Sequence, residues 1–277
     1  MVCRGIGRAL TEPRCTPSFA VQFESSVCPG RGSTLTAAVI IPARLGSTRF
    51  PQKVIVSETG RPLVQHVVDR VKQCKRVRDV IVATDEPRVV EALRPYGTTC
   101  RMTAVSHQSG TDRIAEVAQT LDDPIIVNVQ GDEPEIEPYI VDGLIELLET
   151  GEDDMATAVT PFPAGADPAN ANLVKAVVGF DGRAIYFSRS PVPMWRDGAP
   201  VDRPAYFLHL GIYAYRRSFL LEYASWQPTP LEQAEKLEQL RALEHGRSIR
   251  VLRVHRATHG IDTPEQYAEF VQRIKSS

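Results

Sequence analysis

The sequence predicts an α/β fold built on a doubly wound, mostly parallel sheet, and three observations carry that prediction. From Ala37 onward, short runs rich in Val and Ile alternate with longer stretches whose apolar residues recur at helical spacing. The short runs are continuously apolar, the pattern of strands covered on both faces. Each run then gives way to a polar segment, and in open α/β sheets the ligand sits beyond the carboxyl ends of the strands.

The elements follow in order. Residues 1–36 carry four Arg and two Glu among Pro, Ser, Thr, Gly and Cys with no helical or strand period, and read as a disordered leader. A solvated tail, a start codon placed too far upstream and an organelle transit peptide all fit that composition. Residues 37–277 read as one domain. "AVIIP" (38–42), "DVIVATD" (79–85), "TCRMTA" (99–104) and "IIVNVQGD" (125–132) read as strands. "PLVQHVVDRVKQC", "EPRVVEALRPYG", "SGTDRIAEVAQTL" and "PYIVDGLIELLE" read as the helices that follow them.

Composition excludes several classes. A chain of 277 residues, 43% hydrophobic, can bury a substantial core. Its 32 Lys+Arg against 34 Asp+Glu lack the basic excess of a nucleic-acid binder, so any anion site is local. The five cysteines show neither zinc spacing nor a disulfide framework. No run approaches the ~18 apolar residues of a membrane span, and the opening residues lack the apolar core of a secretory signal. The expectation is a cytoplasmic protein with no membrane and no nucleic-acid partner.

The strand ends carry "PARLGSTRFPQK", "ATDEP", "TAVSHQSGTDR" and "NVQGDEP". Neither a G-x-x-x-x-G-K-[ST] loop nor a G-x-G-x-x-G turn follows the first strand, which argues against P-loop enzymes and dinucleotide dehydrogenases. Instead, the small residues Ala43, Gly46, Ser47 and Thr48 let backbone N–H groups approach an anion. Arg44, Arg49 and Lys53 add charge-assisted hydrogen bonds, so a triphosphate suits this loop.

"IIPARLGSTRFPQK", "IVATDEPRV", "HQSGTDRIAEV", "IVNVQGDEP", "YFSRSPVPMWRD", "HLGIYAYRRSFL", "QPTPLEQAEKLEQLR" and "GIDTPEQ" together resemble the 3-deoxy-manno-octulosonate (KDO) cytidylyltransferases, or CMP-KDO synthetases. The likeness runs from about Val39 to the C-terminus. "HLGIY" with "PLE" and "DTPE" makes it specific. It implies a nucleotide-diphospho-sugar transferase-like fold with a smaller inserted β-rich dimerisation subdomain, at roughly 155–228, and a homodimer. The strand-like runs there lack long helices between the first three, so an antiparallel sheet is their simplest reading.

The resemblance further implies transfer of CMP from CTP to KDO with release of pyrophosphate, assisted by Mg²⁺, in lipopolysaccharide synthesis. It places catalysis on Arg44, Lys53, Asp132 and Asp262, the two carboxylates holding the metal. Nucleotide contacts fall on Pro42, Ala43, Arg44, Ser47, Thr48, Arg49, Lys53, Thr84, Asp85, Ser109, Gly110, Arg113 and Gln130. Sugar contacts fall on Gln130, Tyr186, Ser188, Arg189, His209, Tyr213, Glu232 and Glu235. Such chemistry is mainly alignment and charge neutralisation, and Mg²⁺ takes oxygen ligands.

Structural roles compete at several positions. Asp132 can cap the turn before Pro134, and Glu133 and Glu135 read as solvated or turn-forming. Thr229 and Glu232 have capping-box spacing, and "DTPE" puts Asp262 at an N-cap with Glu265 completing the box. A strand His such as His209 is commonly a packed core residue, and Arg113 can form a surface ion pair. Two segments depart from the family: Gln52 replaces the glycine of the usual R-L-P-G-K, and "RDGAPVDRPAYF" is short. A cytidylyltransferase for another 2-keto acid sugar (a sialic acid, pseudaminic acid or 8-amino-KDO) and a nucleotide-binding regulator without turnover are the alternative functions.

Overall fold

A computed structural model describes residues 37–46, 49–107, 109–200, 204–255 and 260–276. The expected leader, Ser47 and Thr48 lie outside the described residues. The first half alternates β1 (Ala37–Pro42), α1 (Leu63–Val71), β2 (Val77–Thr84), α2 (Pro87–Leu93), β3 (Thr99–Met102), α3 (Gly110–Ala118), β4 (Ile125–Asn128) and α4 (Pro138–Thr150). The strands β5 (Met155–Pro161), β6 (Lys175–Val178), β7 (Ala184–Ser188) and β8 (Phe207–Arg216) follow. The chain then forms α5 (Arg217–Ala224), α6 (Pro230–Glu235), α7 (Leu240–Glu244), β9 (Ile249–Arg253) and α8 (Pro264–Ser276).

The sheet runs β3-β2-β1-β4-β8-β5-β9. β8 alone on that path is antiparallel to its neighbours β4 and β5. β1, β2, β3 and β4 pair in parallel, as do β5 and β9. Every residue of β1 from Ala37 to Ile41 is fully buried, and successive side chains feed opposite faces. Val39 and Ile41 pack with α1 and α4, while Ala38 and Ile40 pack with α3 and α5. That two-sided burial is why the run is continuously apolar. β3, at the edge, is largely exposed.

The segment 155–228 does pair antiparallel, but β5 and β8 are built into the central sheet and α5 packs beneath it. Only β6 and β7 lie off the main path, with β6 also holding β8 at Leu208 and Phe207. β9 went unread in the sequence.

The strand order reverses between β1 and β4, whose carboxyl ends therefore open a crevice. A third apolar cluster closes one side of it: Leu63, Ile261, Tyr267, Phe270 and Val271, with Phe50 and Val56 against them. It ties α8 to the loop after β1, two segments more than 200 residues apart in sequence.

Candidate active site

At the reversal point the chain after β4 turns sharply against β1. A Cβ on Gly131 would stand 3.0 Å from the Pro42 carbonyl oxygen, so any larger residue would require that backbone to give by a few tenths of an ångström. Asp132 follows, and its carbonyl accepts a 2.8 Å hydrogen bond from the Ile261 N–H. That backbone link brings Asp262 beside Asp132.

Between the two carboxylates lies Lys53, in the first position of a 3₁₀ turn, Lys53–Ile55. Its Nζ donates to Asp132 Oδ2 at 2.5 Å, Asp262 Oδ1 at 3.0 Å and the Ile261 carbonyl at 3.1 Å. Burial pulls the ammonium pKa down, but Asp132 and Asp262 outweigh it and hold it above the ordinary 10.5. Arg49 Nη2 reaches Asp262 Oδ2 at 3.0 Å, and Arg44 stands exposed on the same loop. The loop thus brings all three predicted cations to this rim.

Asp262 is not the N-cap that its spacing suggested. Thr263 occupies that place: its Oγ1 accepts from the Gln266 N–H at 3.3 Å, while Gln266 Oε1 accepts from the N–H groups of Thr263 and Asp262. With Gln266 completing the box, the Asp262 carboxylate is released to the cations. Glu133 is partly buried rather than solvated; loss of water pushes its carboxyl up to about 8, with the Asp132 charge adding to the effect. Glu135 is held by Arg273 of α8 at 2.7 Å.

The remaining residues expected to meet the nucleotide gather nearby in different roles. Ser109 and Asp112 form a reciprocal capping box on α3, each bond 3.1 Å. Gly110 packs against the Pro42 ring, leaving 3.6 Å for a Cβ. Thr84 is buried and accepts from the Glu86 N–H at 3.1 Å. Arg113, 4% exposed, pairs with Asp85 at 3.0 Å and donates to Thr103. It thereby locks α3 to the ends of β2 and β3, as a desolvated cation must be paired.

Of the residues expected to meet the sugar, β4 and β8 bring Gln130, His209 and Tyr213 together. Gln130 Nε2 donates to Asn128 Oδ1 at 3.2 Å, and Asn128 pairs with Tyr213 across the strands. The His209 and Tyr213 rings lie 5.5 Å apart despite a bulge that leaves Gly211 and Ile212 without partners on β5. His209 Nε2 meets Thr157 Oγ1 at 3.1 Å, and burial pushes its pKa down to about 3, so it is a neutral imidazole at pH 7.

Ser188, Arg189 and Glu235 converge on α6 instead. Glu235 accepts from Ser188 Oγ at 2.6 Å and the Arg189 N–H at 2.9 Å. The Arg189 guanidinium donates to the carbonyls of Glu235, Lys236 and Ala171, so three of its five N–H donors organise the chain around α6. Tyr186, half-buried on β7, lies beside Glu235 and Glu244. Glu232 is also corrected: Arg241 takes both its oxygens, at 2.6 and 2.8 Å, and the Thr229 N–H adds 3.1 Å. Those three bonds commit most of the carboxylate's acceptor capacity within the fold.

Sequence reading missed Glu238 and Gln239. Lys236, with φ 53, ends α6 in the left-handed region, and beyond it Glu238 is half-buried and Gln239 buried. Glu238 Oε2 accepts from Thr111 of α3 at 2.9 Å and its Oε1 faces the Arg241 guanidinium at 3.6 Å, while the buried Gln239 Nε2 has no hydrogen-bond partner among the described residues. Burial raises the Glu238 pKa. An orphaned buried donor such as Gln239 Nε2 signals a missing ligand or water. No sequence spacing announces Glu238 or Gln239, since a non-glycine left-handed cap carries no motif.

A metal would find oxygen alone here. No group of three or more ligating side chains gathers among the described residues. Asp132 and Asp262 already converge on one cation, the Lys53 ammonium. Two carboxylates completed by phosphate and water suit Mg²⁺.

A cytidylyltransferase family model matches residues 38–249. The chain belongs to the cytidylyltransferase family. Within that family, the 3-deoxy-manno-octulosonate cytidylyltransferase of Geobacter sulfurreducens is 44% identical over 250 residues, covering 87% of this chain and all of the relative. The protein of the same name from Geobacter metallireducens is 46% identical over 244 residues, 85% of this chain and 96% of the relative. A solved CMP:2-keto-3-deoxy-manno-octonic acid synthetase complexed with CTP superposes with a TM-score of 0.81 at 39% identity, covering 87% of this chain and 99% of that one. The doubly wound, mostly parallel fold is therefore that of a CMP-sugar synthetase. No helix among the described residues is long and apolar enough to cross a membrane.

Proposed function

We propose that this cytidylyltransferase joins CTP and KDO to give CMP-KDO and pyrophosphate for lipopolysaccharide synthesis in the cytoplasm. The observation that carries the reading is the convergence of Asp132 and Asp262 on one cation at the reversal point of the sheet. Relatives of that name, sharing close to half their residues with the chain, support the choice of sugar.

Asp132 and Asp262 would hold Mg²⁺, which when bound would neutralise phosphate charge and favour ionisation of the sugar's anomeric hydroxyl. Lys53, Arg49 and Arg44 draw the triphosphate onto the loop and offset the charge that grows on the leaving pyrophosphate. Gly110 and Gly131 let backbone come close to Pro42, which fixes the crevice where the nucleotide lies. Gln130, Tyr213, His209, Glu238 and Gln239 surround the sugar with donors and acceptors, and neutral His209 can donate or accept without adding charge. Fixing the hydroxyl against the α-phosphorus converts a two-body encounter into an aligned one.

Pyrophosphate release measured with CTP and a panel of acidic sugars tests this. Turnover with KDO well above that with 8-amino-KDO, sialic or pseudaminic acid is expected. CTP binding without release from any sugar would refute it and favour a regulator.

A homodimer through β6 and β7 fits the exposure of Phe180, Ile185 and Met194 there. Phe180→Asp with Ile185→Asp should then yield a monomer by light scattering, whereas an unchanged mass would move the interface elsewhere.

A further inference from the structure

A divalent metal at Asp132 and Asp262 and the Lys53 ammonium compete for the same oxygens. An ammonium has three N–H donors, and all three of Lys53 point at oxygens: Asp132 Oδ2, Asp262 Oδ1 and the Ile261 carbonyl. Held there, Lys53 has no donor left for a phosphate. A divalent cation would bind those same carboxylate oxygens at roughly 2.0–2.1 Å, inside the space the ammonium fills. Two cations cannot share it.

We infer that Lys53 is a stand-in cation: it holds Asp132 and Asp262 together in the nucleotide-free enzyme, and it must move to the triphosphate before a divalent metal can take its place. The inference rests on Asp132 and Asp262 being the metal ligands.

Three features fit this role. The side chain is 12% exposed, so its charge is poorly screened and the two carboxylates would repel each other without it. Asp262 offers its second oxygen to Arg49, which places both loop cations on a carboxylate they can exchange for phosphate oxygens. Lysine is also suited to such exchange, being a point charge on a flexible stem rather than a planar fork. Nucleotide binding then precedes metal binding, because the incoming triphosphate supplies the anion that releases Lys53.

Mn²⁺ titration followed by electron paramagnetic resonance tests this without turnover. Without nucleotide, Lys53→Met should bind Mn²⁺ at least about tenfold tighter than the parent, since a competitor making charge-assisted hydrogen bonds has gone. Asp132→Asn in the Lys53→Met background should abolish the gain. Lys53→Arg, which keeps a cation, should not show it. Thermal unfolding gives a second reading: Mn²⁺ should raise the midpoint of Lys53→Met by more than that of the parent. Equal affinity in parent and Lys53→Met, with Asp132→Asn still weakening it, would overturn the stand-in role and leave the two-carboxylate site intact. Binding indifferent to Asp132→Asn in every form, with CTP or without, would overturn the metal site and this inference with it.

Discussion

Asp262 and Thr263 are neighbours whose side chains do different work, and paired substitutions separate them. Asp262→Ala removes the Lys53 hydrogen bond at 3.0 Å and the Arg49 pair at 3.0 Å. The Arg49 side chain is 65% exposed, so that pair contributes at most ~1 kcal/mol. Lys53 keeps Asp132 and the Ile261 carbonyl, so no charge is left orphaned. The expected loss is therefore about 1 kcal/mol, electrostatic in origin. Thr263→Ala removes the helix cap and also loses about 1 kcal/mol, but salt should shrink only the first loss. Urea denaturation at low and high ionic strength measures both.

Activity then divides the pair. Asp262→Asn should cut pyrophosphate release by orders of magnitude, partly recovered at high Mg²⁺, while Thr263→Ala stays within a few-fold of the parent. Near-normal turnover of a folded Asp262→Asn would refute the metal role, and a salt-insensitive loss in Asp262→Ala would return that residue to capping.

Gln52 has φ 59, so Gln52→Gly should relieve left-handed strain by about 0.5–1 kcal/mol, reduced by loss of the 2.6 Å Arg88 bond; a fall in melting temperature would contradict this. His209 has its folded pKa lowered from 6.5 to about 3, so below pH 6.5 the unfolded chain takes a proton that the native chain refuses. Stability should fall toward pH 3 by up to about 1.4 kcal/mol per pH unit from this group, and His209→Gln should flatten that slope in denaturation curves. Glu238→Gln and Gln239→Leu should raise the KM for the sugar and leave that for CTP nearly unchanged; a selective CTP defect would move both residues to the nucleotide side.

The strands were legible because a run buried on both faces has to be continuously apolar, as Ala37 to Ile41 are. The cationic loop was legible because charge density after such a strand is rare without an anion. Partner choice among charged residues was not. "DTPE" suggests Asp262 as cap with Glu265 completing the box, but Thr263 with Gln266 forms the box, and the freed Asp262 carboxylate meets Lys53, more than 200 residues away in the chain. Arg113, Arg189 and Glu232 carry binding chemistry in the sequence, yet each is committed within the fold by a partner that no local pattern names. Glu238 and Gln239 show the reverse case: they follow the one left-handed residue that ends α6, Lys236, and the Gln239 side chain is buried although no local pattern marks it.

The same cluster couples folding to function. Asp132 and Asp262 are forced together by the Ile261–Asp132 backbone bond and by the apolar seam beneath α8, and neither device neutralises charge. Lys53 does so, which is why its folded pKa lies above 10.5. For a raised pKa the stabilisation is complete below the unfolded value and disappears as pH climbs through the folded one. Across neutral pH the nucleotide-free site is therefore closed by an internal cation at full strength, and what opens it is a stronger anion arriving on the loop rather than a change in protonation.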